Sequence, residues 1–187
     1  MIKNYKTYFT LNFNNQKYDT YTHLLGRHNV TNILLAFALS IKLGIDCNEL
    51  IESIKKLDYI PHRLQLIKTH FMILDDSYNC SLASARESTL VLSQFENKKM
   101  VVTPGIIEAG KSQYDINFKL GQMCAIFDYL IIVGKHNRDA IKSGAISKNT
   151  DCKIILADTL SDARKYFNLL KQGDNILLLN DLPDDYT

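Results

Sequence analysis

The sequence has no Cys-x-x-Cys pair: Cys47, Cys80, Cys124 and Cys152 are widely spaced, and no signal-peptide pattern precedes them. That argues against a disulfide framework and for reduced thiols in a cytoplasmic protein. The five histidines, His23, His28, His62, His70 and His136, lack zinc-type spacing, so none is assigned to a metal. No G-x-G-x-x-G follows an expected strand, which disfavours a dinucleotide dehydrogenase. Lys and Arg are evenly scattered and the formal charge is only +2, so neither a nucleic-acid surface nor a membrane-facing patch is expected. The apolar run from Ile33 to Leu43 is broken by Ser40 and Lys42 and is too short to span a bilayer. Low-complexity segments and internal repeats are missing as well.

What is present is ordinary globular material: 187 residues, 46% hydrophobic and 22% charged, enough for one generous domain or one and a half small ones. Between Tyr5 and Leu25 the residues alternate, with Phe9, Leu11 and Phe13 on one side and Tyr8, Thr10 and Asn12 on the other. With Asn14-Asn15 as a turn, this predicts an antiparallel hairpin. Val30 to Leu43 is apolar almost all round, which predicts a helix buried on most faces, entered through Gly26-Arg27-His28-Asn29 and stopped at Gly44. Asp46 and Glu49 form a capping-box pattern for a second helix, with Leu50, Ile51, Ile54 and Leu57 on one stripe and Pro61 at its end.

After Arg63 short apolar strands alternate with amphipathic helices, the pattern of a parallel sheet with right-handed crossovers. Strands are expected at 71–75, 99–103, 129–133, 153–157 and 175–179, and helices at 82–95, 112–127, 137–144 and 160–171. Ser112 with Asp115, and Asn137, are candidate N-caps, and Gly173 a C-terminal stop. A domain boundary is expected between residues 63 and 64. The tail from Asn180 to Tyr186 is polar and expected to be exposed.

The stretch Phe71-Met72-Ile73-Leu74-Asp75-Asp76-Ser77-Tyr78-Asn79 is chemically conspicuous, because an apolar strand ends in five consecutive polar side chains. In open α/β sheets the carboxyl ends of the strands are where ligands bind. Separately, Gly105 to Ser112 fits the phosphate-loop pattern G-x-x-x-x-G-K-[ST], and Asp158 could supply an acidic strand end for magnesium. Glu108 opposes that reading, since it would place a carboxylate among amides meant for an anion. Ile106 and Ile107 oppose it too, being β-branched where the backbone needs freedom.

Three separated stretches belong together: Gly26-Arg27-His28-Asn29-Val30-Thr31-Asn32, Pro61-His62-Arg63-Leu64, and Asp75-Asp76-Ser77-Tyr78-Asn79. In order and spacing they resemble the Mur ligases, above all the branch that adds D-alanyl-D-alanine to a UDP-muramoyl tripeptide. The loop from Thr103 to Gly110 resembles that branch's glycine–glutamate loop. The likeness covers the chain from about residue 20 onward. His62 stands where the family usually has glycine. Cys80-Ser81-Leu82 replaces a small residue, asparagine and proline.

The resemblance implies an ATP-dependent carboxylate–amine ligase of peptidoglycan precursor synthesis, working through an acyl phosphate. Residues 1–63 would be an α+β remnant of the central ATP-binding domain. Residues 64–187 would be the C-terminal Rossmann-like domain, a doubly wound, mostly parallel α/β sheet. The family's phosphate loop and magnesium ligands would lie upstream, leaving the isolated chain inactive without those ligase domains. Substrates would be a UDP-muramoyl-peptide and an amino acid or dipeptide, with ATP and Mg2+ as cofactors. Asn29 and Asn32 would face the nucleotide base, Asp76 the ribose hydroxyls, and Arg63, at a hinge, the phosphate or ribose. Tyr78 and Asn79 would approach the phosphates or the acceptor. Without the resemblance, Asn29 and Asn32 also read as helix caps and Asp75 and Asp76 as a polar strand end. The chain also reads as a non-catalytic nucleotide- or partner-binding module, or as a small phosphate-loop NTPase using Gly105 to Ser112.

Overall fold

The computed structural model describes residues 1–148 and 151–180, so the expected exposed tail lies, from residue 181 on, outside the described residues. Two compact units divide between Ile60 and Pro61. The first is a three-stranded antiparallel sheet, β1 (Ile2–Lys3), β2 (Lys6–Phe13) and β3 (Gln16–Thr22), with helices α1 (Arg27–Lys42) and α2 (Cys47–Ile54). Asn14 and Asn15 both take positive φ, 46° and 61°, as the tight turn of a two-residue hairpin requires. Phe9, Leu11 and Phe13 then face one core with Ile33, Phe37, Ile51 and Ile54, as their alternation predicts. The Asp46 carboxylate accepts from the Asn48 and Glu49 amides and so caps α2.

Two expectations for this unit need correction. Gly26 to Asn29 is not an approach to α1: Gly26, at φ 95°, is the cap position and the helix begins at Arg27, so neither Asn29 nor Asn32 is a cap. Nor is α1 buried on most faces, since only Ile33 and Phe37 are buried and Leu35, Leu39 and Leu43 are 69%, 61% and 73% exposed. One thin sheet and one short helix cover a single stripe of a cylinder, and the rest of the apolar circumference faces outward.

The second unit holds a six-stranded sheet in the order β4-β5-β9-β6-β7-β8, where β4 is Gln65–Lys68, β5 Met72–Asp76, β6 Lys99–Thr103, β7 Tyr129–Val133, β8 Lys153–Ala157 and β9 Asn175–Leu179. Only β4 runs antiparallel, pairing with β5; the other neighbours are parallel. The connections carry α3 (Leu82–Ser93), α4 (Gln113–Cys124), α5 (Arg138–Ile146) and α6 (Leu160–Arg164). From β5 through β6 and β7 to β8 the chain advances one way across the sheet, and from β8 to β9 it returns. Right-handed crossovers therefore put α3, α4 and α5 on one face and α6 on the other, the doubly wound arrangement.

Met100, Val102, Ile131, Val133 and Ile176 pack with Leu160 and Ala163 of α6, while the alternate residues Val101, Leu130, Ile132 and Leu177 point to the opposite face. Burial on both sides is why a strand such as Tyr-Leu-Ile-Ile-Val reads as an unbroken apolar run. Glycine lets α4 and α5 touch: a Cβ on Gly121 would collide with the Ile141 carbonyl, and one on Gly144 with the Phe118 carbonyl.

All four cysteines are free thiols. Burial pushes the Cys80 and Cys152 thiols up to about 11 and raises Cys124 further. Burial also lifts the Tyr59 phenol to about 12. Each group holds its proton more tightly folded than unfolded; for Cys80 and Cys152 the stability contributed is present below about pH 9 and lost as pH rises toward 11, and for Tyr59 it is present below about pH 10 and lost toward 12. Urea unfolding midpoints are expected to fall between pH 8.5 and 10.5 while remaining level between pH 7 and 8.

Candidate functional site

The first unit places Asn29 and Asn32 on one side of α1, at a cavity of about 280 Å³ walled by Leu24, Ile33, Ala36, Phe37, Ile54 and Leu57. Asn29 Nδ2 donates to the Leu25 carbonyl at 2.8 Å, which fixes its amide with Oδ1 turned away from that bond. Asn32 is exposed. Apolar walls with a few placed amides suit a flat heteroaromatic ring, because an amide offers a donor and an acceptor together.

In the second unit the carboxyl end of β5 folds back onto the preceding linker. Asp75 Oδ2 bonds His62 Nδ1 at 2.8 Å, and its Oδ1 accepts from the Ser77 hydroxyl at 2.6 Å and the Ser77 amide at 3.1 Å. Asp76 Oδ1 accepts from the Leu64 amide at 3.1 Å, and its Oδ2 accepts from the Ser88 hydroxyl of α3. The Tyr78 amide donates to the His62 carbonyl at 3.2 Å. His62 and Leu64 both sit at positive φ, 60° and 51°, which is uncommon for non-glycine residues. Arg63, between them, stacks its guanidinium 3.9 Å from the centre of the exposed Tyr78 ring. Such a stack is worth about 0.5–1 kcal/mol at an exposed site. The Asn79 side chain accepts from the Cys80 amide at 2.7 Å.

Arg63, Asp76, Tyr78 and Asn79 thus lie in one short neighbourhood, but with different standing. Arg63 and Tyr78 present a planar cation and a ring to the outside. Asp76 is 9% exposed and each of its oxygens already takes a protein hydrogen bond, so its surroundings make it a latch between linker, strand and α3. Sequence reasoning missed His62 and Ser88 as partners of the two aspartates. The signal for Ser88 was weak: a serine on the inward stripe of α3, twelve residues after the carboxylate it serves.

The phosphate-loop reading of Gly105 to Ser112 does not survive the geometry. The amides of Gly105, Ile106 and Ala109 donate inward to Thr103 Oγ1, Asn117 Oδ1 and Gln113 Oε1, and the Ser112 amide donates to the Ala109 carbonyl. The Ile106 carbonyl accepts from Gln113, Asn117 and Asn137, and Asn180 Nδ2 bonds the Gly105 carbonyl. An anion cradle needs converging amides, and four of the eight here, those of Gly105, Ile106, Ala109 and Ser112, are turned to acceptors within the protein. Neither Ser112 nor Asn137 makes a side-chain cap; Asn137 braces the loop instead, whereas Ser81 and Thr159 are the residues that cap α3 and α6. Asp158 is paired with Arg138 at 2.7 Å, which lowers its carboxyl, with Lys135 adding to the effect. Among the described residues no three His, Cys, Asp or Glu side chains group as a metal site, and no helix is long and apolar enough to cross a membrane.

This doubly wound, mostly parallel sheet matches solved Mur ligase structures. MurF from Acinetobacter baumannii superposes with a TM-score of 0.82 at 23% identity, covering 95% of this chain and 40% of that one. MurF from Thermotoga maritima, solved in complex with ADP, gives 0.81 at 20% identity, covering 96% and 41%. No family model matches the chain. Sequence agrees with fold, and the chain is a Mur ligase homologue, as its four motifs implied. Its similarity runs to the UDP-N-acetylmuramoyl-tripeptide–D-alanyl-D-alanine ligase of Escherichia coli, at 27% identity over 164 residues, 85% of this chain and 36% of that protein. The chain therefore spans about a third of the length of such relatives.

Proposed function

We propose that this chain supplies the nucleotide-closing part of an ATP-dependent ligase of peptidoglycan precursor synthesis. In this reading the unit that ends at Ile60 forms part of the central ATP-binding domain and the unit that begins at Pro61 the C-terminal domain, three residues earlier than the boundary expected between 63 and 64. The ATP γ-phosphate activates a carboxylate of a UDP-muramoyl-peptide as an acyl phosphate, and the amine of an amino acid or dipeptide attacks it. Positioning and charge stabilisation supply most of the rate. Asn29 and Asn32 offer amides to the base above the apolar cavity, and Arg63 offers its guanidinium to phosphate or ribose. Tyr78 holds Arg63 and, with Asn79, borders the acceptor side. Asp76 takes no ribose role; it holds the linker. In this reading the magnesium ligands are supplied by the upstream ligase domains.

The observation that carries the proposal is the Arg63–Tyr78 stack at the carboxyl end of β5, in a chain homologous to Mur ligases. Calorimetric titration of ADP, into this chain and into the chain joined to the amino-terminal part of a Mur ligase, tests it. Binding should weaken about tenfold in Asn32→Ala and in Arg63→Ala, the factor of one good hydrogen bond to a charged or polar ligand. ADP affinity unchanged by both substitutions would overturn the nucleotide assignments. Hydrolysis of ATP by the chain alone that is lost in Lys111→Ala would instead revive a phosphate-loop enzyme.

A further inference from the structure

We propose that His62 is a positioning residue for Arg63, its imidazole tying the linker to β5 so that the guanidinium is already stacked on Tyr78 before a nucleotide arrives. The inference rests on the nucleotide reading of Arg63. Three contacts bracket that residue: His62 Nδ1 to Asp75 Oδ2 at 2.8 Å, the Leu64 amide to Asp76 Oδ1 at 3.1 Å, and the Tyr78 amide to the His62 carbonyl at 3.2 Å. A carboxylate that also accepts from the Ser77 hydroxyl and amide has only acceptor capacity to offer, so Nδ1 carries the hydrogen in the bond to His62.

The backbone at residue 62 is left-handed, φ 60°, a conformation that glycine adopts freely and histidine does not. Glycine there would remove the steric penalty and also the side chain that reaches the strand. This chain accepts the penalty and gains a tether to Asp75, a residue 5% exposed and so a fixed point of the sheet. A pre-stacked Arg63 has less rotamer freedom to lose when a phosphate or ribose binds, which is how preorganisation raises affinity without a new ligand contact. The division between the units lies before Pro61, so Arg63 belongs to the sheet unit.

The test uses the 187-residue chain with His62→Gly, Asp75→Asn and the double variant, read by amide hydrogen exchange at Leu64 and Tyr78 and by ADP titration. Both single variants should speed exchange at these two amides and weaken ADP binding about three- to tenfold, the worth of one net hydrogen bond. The double variant should be no worse than the weaker single, because both act through one contact. Arg63→Ala should cancel the effect of His62→Gly on ADP, an outcome that a merely structural histidine would not produce. Unchanged exchange in His62→Gly, or additive losses in the double variant, would overturn the inference. If the parent chain binds no ADP while exchange still responds, the nucleotide reading fails and the tether alone stands.

Discussion

Gly121→Ala is expected to destabilise the sheet unit by about 2–3 kcal/mol, the upper part of the range for forcing one methyl into a packed interface. On an exposed helix the same change would stabilise by up to about 1 kcal/mol, because alanine is the better helix former. The sign reverses here because the added Cβ meets backbone, the Ile141 carbonyl and the Ala145 amide, and backbone cannot rotate away as a side chain can. Gly144 faces the reciprocal problem against the Phe118 carbonyl, so Gly144→Ala should cost a similar amount. Since relief of one contact would require α4 and α5 to separate, the double variant should cost less than the sum of the singles. Urea unfolding followed by circular dichroism checks all three. A Gly121→Ala variant as stable as the parent would mean that the two helices do not approach as described.

Asp76→Ala should cost about 2 kcal/mol, within the range for hydrogen bonds to a charged group, because it strands the buried Leu64 amide while the Ser88 hydroxyl falls back on the Ser84 carbonyl, 3.0 Å away. The Leu64 amide and the Ser88 hydroxyl both lose the carboxylate, at positions that are 2% exposed in each case. Asp76→Asn keeps one acceptor and should lose roughly half as much. The distinction matters for function. A residue that only held ribose could be changed to alanine with little effect on the unfolding midpoint of the nucleotide-free chain. Loss of ADP affinity with no loss of stability would restore the ribose assignment and remove the latch.

The central strands β6, β7 and β9 were legible because burial on both faces forces continuous apolar runs bounded by polar loops, and the edge strand β8 because Ile154, Ile155 and Leu156 form a short run of the same kind. β6 through β9 fall where Lys99–Thr103, Tyr129–Val133, Lys153–Ala157 and Asn175–Leu179 were expected. The edge strand β4 was not legible: Gln65-Leu66-Ile67-Lys68 is four residues long, half polar, and pairs with β5 only because the linker is tied there. The hairpin turn was readable from two asparagines, yet the matching turn at Asn4 and Tyr5, which adds β1, was not, since tyrosine rarely takes positive φ. At the site the sequence pointed to the carboxyl end of β5 and assigned the Asp76 carboxylate to a ribose, where the structure gives both its oxygens protein partners. Whether a buried aspartate serves a ligand or its own linker depends on which amides come within reach, and residues 62, 64 and 88 are identified as partners only by the folded backbone. The phosphate-loop pattern failed for the same reason: it counts glycine, lysine and serine but not where the intervening amides are spent.

The bare face of α1 has a practical corollary for anyone handling the molecule. Leu35 and Leu39 lie four residues apart on α1, with Leu43 at its C-cap one further interval on, so their exposed side chains follow one line along the helix. A greasy ridge of this kind makes self-association a function of concentration, and small at micromolar levels is not small at the millimolar levels of spectroscopy or crystallisation. Sedimentation should therefore be run at the working concentration of each binding or unfolding measurement. Replacing Leu35 and Leu39 by glutamine, which keeps helix propensity, gives a version whose colloidal behaviour can be separated from its chemistry.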